Sequence, residues 1–170
     1  ASPGEETLPL WQYGYGQLDP VSHQVLSFSR SPHFTGQTWQ GGPELPDEKL
    51  SWNSISATGG HPGPGLENVN IRRWTAPMDA VITISGKLSH SNTGGNGVRG
   101  RIISSRHREL GFWPVYNSSQ ELEIPPIEIR KGDTIDFIVD SNGDLGHDSF
   151  GWTPVIKTFG AESAPTQWSA

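Results

Sequence analysis

The chain has 170 residues, enough for one domain, and it combines a formal net charge of −6 with 21 Gly, 14 Pro and 7 Trp. An acidic chain of this kind has no general affinity for DNA or RNA, because phosphates require a basic surface. The absence of Cys excludes disulfides, thiol nucleophiles and Cys-ligated metal centres. No apolar run approaches the ~18 residues that a membrane span needs.

The first half of the chain carries short strand signals between turn-rich stretches. Trp11, Tyr13 and Tyr15 alternate with Gln12 and two glycines, which predicts an extended segment with its three rings on one side. Strands are also predicted at residues 25–28 and 50–55, a long connection at 32–46, and a Gly- and Pro-rich loop at 58–65.

The second half alternates more clearly and predicts most of the sheet structure. Strands are predicted at residues 71–77, 80–88, 98–104, 110–116, 121–129, 134–139 and 150–156. The sequence NTGGNG at 92–97 indicates a hairpin-type connection, and RKGD at 130–133 a turn. Alternation places Arg99 and Arg101 on one strand face, and places Asp136 and Ile138 outward on another strand. Thr83, Ser85 and Lys87 would share that face if the strands are neighbours.

About ten short strands without any helix-period segment predict an all-β fold, a two-sheet antiparallel β-sandwich of jelly-roll type. We expect residues 1–9 to be a flexible N-terminal segment, 10–158 a single sandwich module, and 159–170 a linker or tail.

An ordered set of motifs between residues 10 and 156 carries a resemblance to a known kind of module. The motifs are LWQYGYGQLD, TWQGGPELPD, IRRWTAP, VITISGKLSH, NGVRGRIISSR, LGFWPVYN, IRKGDTIDFIVDSNGD and DSFGWTPVI. Together they are similar to jelly-roll, carbohydrate-binding-module-like domains embedded in planctomycete multidomain proteins that also carry c-type cytochrome domains. The resemblance implies a β-sandwich that binds polysaccharide or oligosaccharide without catalysis. It also implies neighbouring domains in a larger chain, a secreted, periplasmic or cell-surface location, and a monomeric isolated module.

Sugar binding needs a flat aromatic face for the C–H side of a pyranose and planar polar groups for its hydroxyls. Tryptophans near loops or strand ends either serve that purpose or plug the edges of the sandwich, whereas Trp74 and Trp152 are expected in the core. Trp11 belongs to the first group. The candidate carbohydrate-binding residues are Trp39, Trp52, His61, Arg72, His90, Arg99, Arg101 and Trp113.

Each polar candidate has an ordinary alternative. Arg99 and Arg101 either grip hydroxyls, carboxylates or sulfates, or form ion pairs on a solvated sheet face. Of Arg72 and Arg73, one must point away from the core. His61 and His90 lie in loops that could meet at one end of the sandwich, where two His and a carboxylate would indicate a transition metal; the alternative is that both are ordinary loop histidines.

Oxygen-bearing side chains recur at loop positions one, three, five and nine of DSNGDLGHD. Asp140, Asn142, Asp144 and Asp148 therefore imitate the start of a calcium loop, although Leu145 replaces the turn glycine of an EF-hand and Gly151 its last ligand. Asx-rich turns without metal have the same composition. A structural calcium ion is thus one hypothesis, and no other cofactor is expected.

Three functions remain in view. The leading hypothesis is a non-catalytic glycan-binding module, and the second is a domain that docks against its neighbours in a larger chain. A glycoside-active enzyme would need two carboxylates facing one cleft, for which the same-face pairs are Glu121 with Glu123 and Asp136 with Asp140.

Overall fold

A computed structural model describes residues 9–160 and 166–170 of the chain. These residues form two antiparallel sheets packed together, which confirms the predicted β-sandwich with more strands than the ten expected. The first sheet contains β1 (Trp11–Gly16), β2 (Ser29–Arg30), β7 (Val69–Thr75), β9 (Val98–Ser104), β10 (Arg108–Val115) and β12 (Thr134–Asp140). The second contains β3 (His33–Phe34), β4 (Thr38–Gln40), β5 (Ser54–Ser56), β6 (Gly59–His61), β8 (Ala80–His90), β11 (Ser118–Ile129), β13 (Phe150–Trp152), β14 (Val155–Thr158) and β15 (Gln167–Ser169).

Hydrogen-bonded order in the first sheet is β10-β9-β12-β7-β1-β2. In the second it is β15-β14-β8-β13-β6-β5-β4-β3, with β11 on the other side of β8. The short strands β1 to β4 therefore lie at the same end of the two sheets, where β2 and β3 are the outermost strands.

Consecutive strands often belong to different sheets. The segment 92–97 joins β8 in the second sheet to β9 in the first, so the predicted hairpin there is wrong. The RKGD turn likewise links β11 to β12 across the sandwich. For the same reason Thr83, Ser85 and Lys87 of β8 do not share a sheet with Asp136 of β12.

The main core lies between the sheets. It is an apolar cluster that includes Trp74 and Trp152, as expected, together with Phe137. The rings of Phe137 and Trp152 meet edge to face at 5.5 Å, an arrangement that aromatic pairs favour.

A second apolar cluster covers the outer face of the first sheet. Leu18, Ile71, Ile103 and Ile138 belong to it, with Phe28 packed against it. The prediction that Ile138 faces outward is right for its side of the strand, but the connection at residues 17–28 lies over that side and buries it. Alternation reports the face of a strand and not what covers that face.

Glycines in β1 allow the neighbouring backbone, at residues 27–29, to pack closely against the outer face of this strand. A Cβ on Gly14 would lie 2.0 Å from the main-chain oxygen of Ser29, so a side chain would collide with the neighbouring segment. The glycines of β1 thus let the neighbouring backbone pack against one face of the strand. The rings of Tyr13 and Tyr15 occupy the other face, as the sequence predicts.

Several predicted boundaries are wrong because tertiary pairing decides them. The stretch 58–65 contains β6 despite its glycines, and the predicted strand 50–55 is reduced to β5. The predicted last strand divides into β13 and β14 around Pro154. Beyond residue 159, expected to be a linker, β15 pairs with β14 and Trp168 contacts Trp74 at 5.2 Å between ring centroids.

Of the predicted flexible N-terminal segment, residues 1–8 lie outside the described residues, as do 161–165 of the predicted tail. The part of the chain that the structure describes holds no helix with the length and apolar character that crossing a bilayer demands.

Candidate functional site

An aromatic groove lies at the end of the sandwich that β1 to β4 form, and it is called the edge groove below. Tyr13, Phe34, Gln37, Trp39, Ser56 and Thr58 line it, and its volume is about 460 Å³. The Trp39 ring is 4.8 Å from Phe34 and 6.4 Å from Tyr13 between centroids, with interplanar angles of 27° and 15°. Trp39 is therefore stacked against both Phe34 and Tyr13.

A smaller pocket of about 190 Å³ continues beyond Trp39 and Tyr13. Pro9, Trp11, Gln12 and Arg30 complete its lining. Tyr13 and Trp39 line both spaces. The aromatic surface is therefore bordered by Gln37 and Thr58 at one end and by Arg30 at the other.

Strand pairing brings the rings together. Tyr13 pairs with Arg72 across β1 and β7, and Trp39 pairs with Phe34 on one side and Ile55 on the other. Paired residues share a face of their sheet, so all these side chains point between the sheets. Among the described residues no further strand lies beyond β2 and β3 at this end, and the rings remain half-buried or exposed.

Arg72 does not line the edge groove itself but contacts Tyr13 and Ser56, which do. Its Nη1 donates to the Trp152 carbonyl at 2.7 Å and its Nη2 to the Ser56 carbonyl at 2.9 Å, while its guanidinium lies 5.9 Å from the Tyr13 ring centroid. Burial lowers the pKa of Arg72 to about 10, which leaves it charged at neutral pH. Arg72 is therefore the inward member of the Arg72–Arg73 pair, and it supports Tyr13 from behind.

Polar groups at the edge groove remain available to a ligand. The Gln37 main-chain N–H donates to Thr35 Oγ1, but its side-chain amide makes no hydrogen bond to another described residue. The hydroxyl of Thr58 is likewise unengaged within the described ranges, whereas Ser56 Oγ accepts the Gly59 N–H at 3.1 Å. Arg30 forms no ion pair with the residues that the structure describes.

Trp52 and His61 form a separate pair. Trp52 is 45% exposed and its ring centroid is 6.4 Å from that of His61. His61 Nδ1 lies 2.8 Å from the Pro62 carbonyl, to which it donates in the neutral form, and burial lowers the pKa of His61. Neither residue lines the edge groove.

Arg99 and Arg101 lie on the outer face of the first sheet, as alternation predicts, but they are engaged there. Arg99 Nε donates to Asp140 at 2.8 Å, and Arg101 pairs with the other oxygen of the same carboxylate. Arg101 is buried and lies 4.6 Å from the Phe112 ring centroid. The ion-pair alternative for this row therefore describes the structure, and Arg101 presents no surface to a saccharide.

His90 lies where a surface ligand does not reach it, and Trp113 lies outside the edge groove. His90 is fully enclosed: its Nε2 donates to the His147 carbonyl at 2.7 Å and its Nδ1 accepts the Asn117 N–H at 3.2 Å. That pairing fixes a neutral Nε2–H imidazole that ties three loops together. Trp113 is half-buried against the main core.

The eight predicted carbohydrate-binding residues therefore do not converge. Trp39 lies in the edge groove with Arg72 behind it, and the others are distributed over the rest of the sandwich. Tyr13 was noted only as part of an alternating aromatic segment. Phe34 and Gln37 were missed, because a two-residue strand and a turn give no periodic signal.

The candidate ligands of the predicted calcium loop differ in burial and in how far they are already engaged by other residues. Asp140 is engaged by Arg99 and Arg101, and its Oδ1 also accepts the Asn142 N–H at 2.9 Å. Asp144 is exposed, and Asp148 is fully enclosed. Burial, with the charges of Asp144 and Asp140, raises the pKa of Asp148 to about 7. Within the described ranges no group of three or more His, Asp or Glu side chains converges on one point.

A third, polar cleft of about 320 Å³ lies on the outer face of the first sheet. Glu109 and Asp136 both line it, together with Arg73 and His23. Arg73 holds Asp136 through two bonds of 2.7 and 2.8 Å, and burial raises the pKa of Asp136. Glu109 lies 3.4 Å from both His23 and Arg101. The predicted pair Glu121 and Glu123 lies exposed on β11, away from this cleft.

No model of a known protein family matches the chain, and no curated protein matches it.

Proposed function

We propose that this protein is a non-catalytic module that binds a polysaccharide or oligosaccharide in the edge groove. The observation that supports the proposal best is the stacking of Trp39 with Tyr13 and with Phe34 beside the unengaged amide of Gln37.

The chemistry of a saccharide suits this arrangement. The C–H face of a pyranose packs against an aromatic ring, while side-chain amides and hydroxyls exchange hydrogen bonds with its hydroxyl groups. The groove volume of about 460 Å³ falls in the range of pockets that hold small organic ligands, about 300–1,000 Å³. A shallow groove buries little area, so we expect a modest affinity.

Arg30 extends the proposal to acidic sugars. It borders the smaller pocket on the far side of Trp39, where a guanidinium would pair with a carboxylate or sulfate in two parallel hydrogen bonds. A neutral glycan would use the rings and Gln37 alone.

The resemblance of the ordered motifs supports a wider proposal about context. We propose that the module belongs to a secreted, periplasmic or cell-surface protein with further domains, of the planctomycete kind, and that it holds those domains close to glycan. Such tethering raises the local concentration of an attached activity without any new contact.

Each of the two alternative functions is supported by one observation. Phe34 is 50% exposed, which also suits docking against a neighbouring domain of a longer chain. Glu109 and Asp136 share the polar cleft, which is the arrangement that a glycoside-active enzyme would require. Binding without release of reducing ends favours the module, whereas release that Glu109→Gln abolishes favours the enzyme.

The decisive experiment is affinity electrophoresis in gels that contain neutral or sulfated polysaccharides. We expect retardation that Trp39→Ala abolishes, and that Arg30→Met reduces only in the sulfated gels. Trp52→Ala is the control, because Trp52 is a surface indole, 45% exposed, that lies outside the groove. Retardation that survives Trp39→Ala, or no retardation in any gel and none on a glycan array, contradicts the proposal.

A further inference from the structure

The side chain of Asp148 is fully enclosed, and neither of its carboxylate oxygens has a hydrogen-bond partner among the described residues. Burying a carboxylate without a partner is strongly unfavourable, because the interior does not replace the lost hydration. Buried acids are therefore normally paired with a cation or bound to a metal. A bound cation would supply such a partner to Asp148.

No side chain described by the structure supplies it. Asp148 forms no ion pair, and the charged groups that act on it are the carboxylates of Asp144 and Asp140. Asp140 is already compensated by Arg99 and Arg101. The excess negative charge of this loop therefore belongs to Asp144 and Asp148.

The position of Asp148 is fixed by contacts of the preceding residue, His147. His147 has a positive φ of 65°, and its carbonyl accepts the hydrogen bond from the enclosed His90. Because His90 is also fixed by the Asn117 N–H, the turn that directs Asp148 inward is anchored to two other loops. The inward position of the carboxylate is thus determined by packing and not by chance orientation of a free loop.

We propose that a divalent cation of the calcium type binds at Asp148, with Asp144 as the second carboxylate. Both side chains offer hard oxygen donors, which suit Ca²⁺. Asp144 Oδ1 accepts the Gly146 N–H at 2.9 Å, and its Oδ2 is left for a metal. Asn142 lies in the same loop and carries a further amide oxygen.

The ligand count also indicates what kind of site this is. Because three acidic or histidine side chains do not converge here in the described ranges, uncharged oxygens and water must complete the coordination shell. Calcium tolerates such a flexible shell of six to eight oxygens, whereas Mg²⁺ demands near-ideal octahedral geometry. Two carboxylates place the affinity in the weak class, with a Kd of about 10⁻⁴–10⁻³ M.

The test uses the full chain, treated with EDTA and dialysed, in thermal unfolding and isothermal titration with CaCl₂ and MgCl₂. We expect the Tm to rise with the logarithm of the Ca²⁺ concentration above Kd, and to rise less with Mg²⁺. Asp148→Asn should abolish the rise, and Asp144→Asn should weaken Ca²⁺ binding at least about tenfold, since loss even of an outer-shell partner commonly costs that much. Glu121→Gln, which removes an exposed carboxylate elsewhere, should leave the response intact.

The Tm measured without metal distinguishes a metal-binding role of Asp148 from a purely structural role. In EDTA, Asp148→Asn should have a Tm equal to or above that of the unsubstituted chain, because it removes an uncompensated buried charge. A lower Tm in EDTA means that Asp148 serves the fold itself and overturns the proposal. So does the absence of a Ca²⁺ response in the unsubstituted chain, or a response that both Asp148→Asn and Asp144→Asn retain.

Discussion

Arg72 in the first sheet donates a hydrogen bond of 2.9 Å to the main-chain carbonyl of Ser56 in the second, directly behind the aromatic edge groove. A second bond of 2.7 Å to the Trp152 carbonyl spans the same gap. Arg72 is therefore one of the groups that bridge the sheets at this end, together with Asn70, whose Nδ2 donates to the Ser54 carbonyl at 2.9 Å. Tyr13 pairs with Arg72 across the strands and lies against its guanidinium.

Replacing Arg72 by Met should lower the free energy of unfolding by about 2–4 kcal/mol, because two buried carbonyls lose their donors while the apolar volume is largely kept. Urea unfolding monitored by tryptophan fluorescence measures the change. Arg106→Met is the control, since Arg106 pairs with Asp133 at the surface and its loss should leave the urea midpoint unchanged. Equal midpoints for the two variants would refute a bridging role of Arg72.

Trp168 in the C-terminal strand contacts the fully buried Trp74 and packs against the main core. Trp168→Ala should therefore destabilise the fold by about 2 kcal/mol, less than a fully buried Trp would cost, because Trp168 is only half-buried. Thermal unfolding checks this. Phe159→Ala, at a site 57% exposed, is the matched aromatic control with a Tm close to that of the parent chain. If both variants unfold together with the parent, residues 166–170 do not belong to the folded module.

Asp140 compensates two arginines on the outer face of the first sheet. Asp140→Asn should cost about 3 kcal/mol or more, because buried Arg101 then loses its close carboxylate partner and keeps only Glu109 at 3.4 Å. Adding Arg101→Met to Asp140→Asn should restore part of that loss. A double-mutant cycle in urea measures the coupling, and strictly additive effects would mean that the close pair contributes nothing to stability.

His61 should make part of the stability depend on pH. Burial lowers its folded pKa below the ordinary value of 6.5, so between the two values the unfolded chain binds the proton more readily. This contribution is therefore complete above pH 6.5 and is lost as the pH falls through the folded pKa. Asn at position 61 keeps a donor for the Pro62 carbonyl but cannot titrate in this range.

The measurement for His61 is the difference in free energy of unfolding between the parent chain and His61→Asn from pH 8 to pH 5. We expect the parent chain to lose stability relative to His61→Asn as the pH falls. The raised pKa values of Asp136 and Asp148 stabilise the folded state on acidification, but they do so equally in both proteins and cancel in the difference. A difference that stays constant with pH would show that the imidazole is not buried in the neutral form.

The sequence predicted those features that depend on local periodicity. Trp74 and Trp152 were expected in the core and lie there, and the rings of Trp11, Tyr13 and Tyr15 share one face. Arg99 and Arg101 were expected on one outward face, and they occupy it. In each case two-residue alternation fixes the direction of a side chain without knowledge of its neighbours.

The edge groove could not be predicted in the same way. Phe34 and Trp39 lie on strands of two and three residues, and Tyr13 meets them from the other sheet. The burial of Arg101 could not be predicted either. Its side chain points outward from the sheet, but its contacts with Asp140 and Phe112 separate it from solvent. Such contacts depend on which strands become neighbours.

The sequence by itself thus determined an all-β sandwich, the tryptophans of its core and the oxygen-rich composition of one loop. Only the tertiary structure decided that β8 and β9 belong to different sheets, that His90 is enclosed, and that Asp148 is left without a partner. The physical reason is that alternation depends on the backbone within one strand, whereas burial and pairing depend on segments far apart in the chain.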